Sequence, residues 1–178
     1  MASKRKILAI SGSTRRQSTN IYLINAIINM LGSEHVFNVF NSIADIPHFN
    51  PDLDNDTPPE RVVDLRKQLM EADGILICTP EYAMGVPGTL KNAIDWTVSS
   101  SEFYKKPTAL ITASSIGEKG HASLLETLKI IDCKMTDETQ LLISFAKTKI
   151  NKDSVITDTK TLNQVNDLIR SFLELMNQ

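Results

Sequence analysis

Two cysteines, Cys78 and Cys133, are all that a chain of 178 residues contains, and its three histidines, His35, His48 and His121, stand far apart. Neither set has a metal-ligand spacing, so a metal centre or a catalytic triad would have to be assembled wholly by the fold. Long apolar runs are missing too. The first candidate, Ile7-Leu8-Ala9-Ile10 behind the briefly basic residues 1–6, is far too short for a signal peptide or a spanning helix. A cytoplasmic location with reduced cysteines is therefore expected, and no membrane partner. Excess charge is lacking as well: 19 Lys and Arg against 21 Asp and Glu leave a net charge of -2. That gives no global field to draw in nucleic acid or an anionic membrane, and no nucleic-acid partner is expected. What is present is ordinary for a folded protein, with 42% hydrophobic and 22% charged residues. This is too apolar for disorder, and the length suits one core, so a single domain over residues 1–178 is expected.

Short apolar runs rich in β-branched residues alternate with longer helical stretches, which predicts an α/β fold of parallel strands joined by crossover helices. The expected strands are 6–11, 36–40, 74–79, 108–113 and 141–145, and the expected helices 20–31, 58–72, 87–100, 121–131 and 161–175. Three of the strands are almost wholly apolar, as when helices cover both faces of a parallel sheet; the strand at 36–40 reads as an edge. Pro87 fits a first helical turn, and Gly32 and Gly74 fall where a helix should end and a strand begin. The stretch 43–59, rich in Pro, Asp and Asn, reads as a long surface excursion. Several doubly wound strand orders fit five such strands. In all of them ligands bind beyond the carboxyl ends of the strands, beside strand 1.

Directly after the first strand comes Ser11-Gly12-Ser13-Thr14-Arg15-Arg16-Gln17-Ser18-Thr19-Asn20, and a helical run follows. A helix start offers unpaired N–H groups and the positive end of the dipole, Ser13, Ser18 and Thr19 add hydroxyl donors, and Arg15 or Arg16 supplies the full charge a dianion needs. The plainer alternative is that Ser18 or Thr19 only caps the helix and the arginines are solvated. The loop lacks the spaced Gly-Lys-Ser/Thr ending of a triphosphate loop, and its single glycine does not make a dinucleotide fingerprint. A terminal monophosphate fits it better than a pyrophosphate.

After the third strand the chain reads Thr79-Pro80-Glu81-Tyr82-Ala83-Met84-Gly85-Val86-Pro87-Gly88, a loop that its two prolines should stiffen. A rigid loop presenting an aromatic ring and backbone N–H groups suits one face of a planar heterocycle, with Tyr82 and Gly85 as the contacts. Asp95 and Trp96 read as structural, the indole packing a helix on the sheet. After the fourth strand, Ser114-Ser115-Ile116-Gly117 offers small polar groups for the edge of such a ring, or else a plain turn.

Taken together, Gly12-Ser13-Thr14-Arg15 with Ser18-Thr19-Asn20, then Thr79-Pro80-Glu81-Tyr82 and Val86-Pro87-Gly88-Thr89-Leu90-Lys91-Asn92-Ala93-Ile94-Asp95-Trp96, resemble the NAD(P)H-dependent FMN reductase family of chromate, quinone and azo-dye reductases. The likeness extends to Ser42-Ile43-Ala44-Asp45-Ile46-Pro47 and the Ser114–Gly117 turn. It implies a flavodoxin-like three-layer sandwich with strand order 2-1-3-4-5 and helices on both faces. It implies FMN as cofactor, its phosphate on Ser13, Arg15, Ser18, Thr19 and Asn20, its ring on Pro80, Glu81, Tyr82, Ala83, Met84 and Gly85, and its pyrimidine edge near Ser114, Ser115 and Gly117. It further implies NAD(P)H as co-substrate, a quinone, azo compound, metal oxyanion or free flavin as small-molecule acceptor, a homodimer or homotetramer, and no catalytic residue beyond the flavin. One departure is visible: Ala83 stands where the family commonly has Asn. A flavodoxin-like electron carrier is the alternative, although carriers are usually acidic with an arginine-free phosphate loop; a non-enzymatic flavin sensor is another. NADH and NADPH are not separated, with Arg16, Lys105 and Lys106 the only candidates for a 2′-phosphate contact.

Overall fold

Each strand sends alternate side chains to opposite faces of the sheet, and the computed structural model, which describes residues 4–41 and 43–178, shows what each face meets. Five parallel strands lie in the order β2-β1-β3-β4-β5: β1 (Lys6–Ser11), β2 (Val36–Phe40), β3 (Gly74–Thr79), β4 (Thr108–Ala113) and β5 (Gln140–Ile143). Ile7 pairs with Phe37 on one side and Gly74 on the other, and Leu76 with Ala109. Ile7, Ala9, Leu76, Cys78, Ala109 and Ile111 point to one face, where α1 (Thr19–Leu31) and α5 (Thr159–Leu175) add Leu23, Ile24, Ile27, Val165 and Phe172. Leu8, Ile10, Ile75, Ile77 and Leu110 point to the other. There α2 (Glu60–Glu71), α3 (Gly88–Asp95) and α4 (Glu118–Ile130) bring Val62, Leu65, Leu90, Ile94 and Leu124. Every residue of β3 and β4 is buried, so the near-continuous apolar runs follow from two-sided cover. This is the flavodoxin-like order read from the resemblance, with β2 at the edge as expected.

Helix α3 is shorter than the expected 87–100. Pro87 precedes it in extended backbone (ψ 129°) rather than joining its first turn, and its carbonyl accepts from Leu90 and Lys91. At the far end the Thr97 hydroxyl donates to the Ile94 carbonyl (2.7 Å), and turns follow through Ser101 at φ +62°. Trp96 is fully buried against the face that α3 covers, with its indole N–H on the Pro47 carbonyl (2.8 Å) and Phe49 edge-on to its ring at 5.1 Å. It thereby pins the 43–59 excursion to α3. Ser42, part of that expected motif, lies outside the described residues. Strand β5 begins at Gln140 and ends at Ile143, two residues before the expected end, because Phe145 turns to φ +56°. Among the described residues, no helix is long and apolar enough to cross a membrane.

Candidate cofactor site

Strand β1 ends against β3, and the Gly12 N–H donates to the Cys78 carbonyl at 2.8 Å. The chain then passes so close to Thr79 that a Cβ on Gly12 would sit 2.8 Å from Thr79 Cβ and 3.0 Å from Leu90 Cδ2. Beyond this crossing, Ser13 is buried, and its hydroxyl accepts from the Arg15 N–H (3.3 Å) and shares a 3.4 Å hydrogen bond with the Tyr82 hydroxyl. Ser18 caps α1: its Oγ accepts from the N–H groups of Asn20 (3.1 Å) and Ile21 (3.4 Å). Its own O–H proton is left to donate into the loop. Asn20 sends its amide N–H to the Ala113 carbonyl at 3.2 Å, while its Oδ1 is buried with no hydrogen-bond partner. A buried acceptor without a donor costs free energy, so something with an O–H or N–H is expected to meet it.

The loop after β3 folds back at once. The Tyr82 N–H donates to the Gly85 carbonyl (3.1 Å) and the Gly85 N–H to the Tyr82 carbonyl (2.9 Å), closing a two-residue turn with Ala83 at φ +48° and Met84 at φ +60°. Positive φ at both positions defines a type I′ turn, for which Asn-Gly is the preferred pair. Ala83 therefore strains the turn backbone where Asn would not, since Asn tolerates the left-handed region better than Ala. Ala83→Asn is expected to stabilise the protein by about 0.5 kcal/mol, a rise of about 1–2 °C in Tm by scanning calorimetry; an unchanged or lower Tm would mean that the turn stores no such strain.

Glu81 turns away from the loop. Its carboxylate accepts from the N–H groups of Gly117 (Oε1, 3.3 Å) and Gly120 (Oε2, 2.6 Å), and its own N–H donates to Ser114 Oγ at 3.2 Å. The loop after β4 is thus tied to the loop after β3. Gly117, which precedes α4 at φ +97° with the Leu142 Cδ1 position 2.7 Å from any added Cβ, has no side chain to cap the helix. Glu81 supplies that cap from another loop, which is why α4 starts at Glu118 and not at the expected residue 121.

These loops enclose a cavity of about 900 Å³ at the carboxyl ends of the strands. Of the residues expected from the sequence, Ser13, Arg15, Ser18, Thr19, Asn20, Pro80, Glu81, Tyr82, Ser114 and Ser115 line it; Ala83, Met84, Gly85 and Gly117 do not. The sequence reading missed a further wall after β5, formed by Phe145, Ala146, Lys147, Thr148, Ile150, Asn151 and Lys152, together with Gln17, Tyr22 and Ala113. Lys105 and Lys106, named for a 2′-phosphate, precede β4 and so belong to the opposite end of the sheet. The Lys106 ammonium is engaged there with the Ala72 (2.7 Å) and Met70 (3.3 Å) carbonyls.

The ionisable groups nearby are poor candidates for acid–base or thiol chemistry. His121 is half-buried between Thr112 (Nδ1 to Oγ1, 2.8 Å) and Gln140 (Nε2 to Oε1, 3.2 Å), and burial lowers its pKa below the ordinary histidine value. Burial raises the thiol of Cys78, at the end of β3, and raises that of Cys133, at the opposite end of the sheet, to about 12, so neither is a thiolate at neutral pH. What the site offers is hydrogen-bond donors, a helix N-terminus, cations and aromatic rings around a preformed cleft.

A family model described as NADPH-dependent FMN reductase matches residues 5–148. Over 163 residues the chain is 32% identical to a 2-hydroxy-1,4-benzoquinone reductase of a Burkholderia species, covering 88% of this chain and 87% of that protein. A quinone reductase of Escherichia coli is 30% identical over 184 aligned positions, covering 99% and 97%. Among solved structures, FerB, a flavoenzyme NAD(P)H:(acceptor) oxidoreductase from Paracoccus denitrificans, superposes with a TM-score of 0.84 at 27% identity over 97% of both chains.

Proposed function

Because this chain belongs to the NADPH-dependent FMN reductase family, we propose that it holds FMN in the cavity and works as an NAD(P)H-dependent oxidoreductase on a small acceptor, of which a quinone is the class favoured by its relatives. The observation that carries the cofactor assignment is the orphaned Asn20 Oδ1. It is a buried acceptor on the cavity wall, in the first turn of α1, where a ribityl hydroxyl would satisfy it. Arg15 and the Ser13 and Ser18 hydroxyls surround the α1 N-terminus, a set suited to a terminal phosphate. Tyr82, with its hydroxyl tied to Ser13, lines the cavity from the β3 side, and Ser114 and Ser115 line it from the β4 side. Bound there, FMN would take hydride from NAD(P)H and deliver electrons to the acceptor. The protein's share is to orient the cofactor, to anchor its phosphate away from the reacting ring, and to leave one face of the cleft open.

Met84 and Ile116, 75% and 59% exposed on the two loops that flank the cavity, support a homodimer or homotetramer in which a second copy covers them. A cytoplasmic setting agrees with two cysteines that are both free.

Purified protein should show flavin absorbance bands that bleach within seconds of adding NADPH or NADH under anaerobic conditions, and recover on adding a quinone. Bands that persist would indicate an electron carrier or a sensor, and a colourless protein that FMN cannot reconstitute would refute the cofactor assignment. Arg15→Ala should weaken FMN binding about tenfold or more while leaving any bound flavin equally reducible. Equal flavin occupancy in variant and wild type would remove Arg15 from the phosphate site.

A further inference from the structure

The wall after β5 gives the cavity a second half with its own chemistry. Three cations line the whole cavity, Arg15, Lys147 and Lys152, and the single acid among the lining residues, Glu81, is engaged with the N–H groups of α4. With Arg15 assigned to the FMN phosphate, two ammonium groups remain without an anionic counterpart in the lining. Both are carried on stiff turns. Lys147 lies in a 3-10 turn (Ala146–Thr148), tied back by the Thr148 N–H (3.0 Å) and Oγ1 (2.9 Å) to the Phe145 carbonyl. Lys152 sits in a small hairpin closed by Ile150 against Ile156, in which Asn151 Oδ1 accepts from the Asp153 (3.0 Å) and Val155 (2.9 Å) N–H groups.

Phe145 lines the same wall and is fastened to the β4 loop. Its backbone is held at φ +56°, unusual for so bulky a residue, by its own N–H on the Ser115 carbonyl (3.0 Å) and the Ala146 N–H on the Ser114 carbonyl (3.0 Å). Its side chain stays 65% exposed. An exposed aromatic residue and two lysines lining one cleft are the chemistry that recognises a nucleotide: a base stacks on the ring and phosphate oxygens meet the lysines. At about 900 Å³ the cavity falls in the upper part of the range for ligand sites.

We propose that Phe145, Lys147 and Lys152 form a binding site for a nucleoside diphosphate, the adenosine diphosphate arm of the nicotinamide donor. The inference rests on the reductase reading and adds to it where the donor is held. The probe is ADP, titrated calorimetrically into the FMN-reconstituted protein, with FMN affinity measured separately by fluorescence quenching. ADP should bind without displacing flavin, and added salt should weaken it. The double variant Lys147→Ala/Lys152→Ala should bind ADP at least about tenfold more weakly, and Phe145→Ala about fivefold more weakly, each with FMN affinity unchanged. ADP affinity that is the same in either variant, or ADP that displaces FMN, would overturn the proposal. A parallel loss of FMN would do so too, by assigning these residues to the flavin. A protein that never takes up FMN would fail the cofactor assignment instead, and the two failures read out in different titrations.

Discussion

Gly12→Ala should lower the stability by about 2 kcal/mol, a fall of about 4–8 °C in Tm, and weaken FMN binding about tenfold or more. The reason is space rather than backbone freedom. A methyl group at Gly12 would meet Thr79 Oγ1 inside any normal contact distance, Thr79 Cβ at 2.8 Å and Leu90 Cδ2 at 3.0 Å. Thr79 and Leu90 are both buried, and Thr79 Oγ1 donates to the Pro80 carbonyl at 3.1 Å, so none of the three atoms is the free end of a flexible chain. The clash is relieved only by moving β1 away from β3 or by displacing Thr79. Either shift disturbs both loops at once, since Gly12 leads into Ser13 and Arg15, and Thr79 into Pro80, Glu81 and Tyr82. Gly88→Ala is the control. Its Cβ would meet nothing within 4 Å, and alanine suits the first turn of α3, so Tm should hold or rise. Calorimetry and an FMN titration on both variants check this. A Gly12→Ala protein with wild-type Tm and flavin affinity would mean that the crossing is loose enough to absorb a methyl group.

This dependence on one close approach shows which parts of the site were legible in the sequence. The strands β1, β3 and β4 were readable to the residue because near-continuous apolar runs report burial on both faces locally, and β2 because its short β-branched and aromatic run, with Asn38 inside it, reads as a half-exposed edge. The loop after β1 was readable for the same local reason: Ser18 caps the helix that follows it within three residues. The wall after β5 had no such signature. Phe145-Ala146-Lys147-Thr148 carries no motif, and it reaches the cavity because β5 pairs with β4 and two backbone hydrogen bonds fasten Phe145 and Ala146 to the Ser114–Ser115 loop. Lys105 and Lys106 failed in the opposite sense. They are basic, but they precede β4 rather than follow it, which puts them at the end of the sheet away from the carboxyl ends of the strands. The start of α4 was missed because its cap, Glu81, lies 36 residues before Gly117. A cap supplied across the sheet leaves no trace in the spacing around the helix it serves.

That cap carries the second large prediction. The resemblance places Glu81 in the loop that cradles the flavin ring, and Glu81 lines the cavity, while its carboxylate is occupied with Gly117 and Gly120, so the effect of the carboxylate on the cofactor should be through loop position. Glu81→Ala removes two charge-assisted hydrogen bonds and a negative charge from the positive end of α4. At about 1.5–3 kcal/mol for a hydrogen bond to a charged group, with partial compensation by water at this part-buried site, a loss of about 2 kcal/mol is expected. The Glu81 N–H bond to Ser114 Oγ survives the substitution, but without the carboxylate nothing on Glu81 holds Gly117 and Gly120 against the β3 loop. FMN should then bind about tenfold more weakly, and the amides of Gly117 and Gly120 should exchange hydrogen faster. Glu81→Gln separates charge from shape. Its carbonyl can serve one of the two N–H groups, while its NH₂ faces the other donor to donor, so the variant should fall between wild type and Glu81→Ala in both Tm and flavin affinity. If Glu81 touched the ring directly, substitution would change the absorbance maxima of bound flavin while leaving exchange at Gly117 and Gly120 untouched. That pattern would return Glu81 from a positioning residue to a flavin ligand.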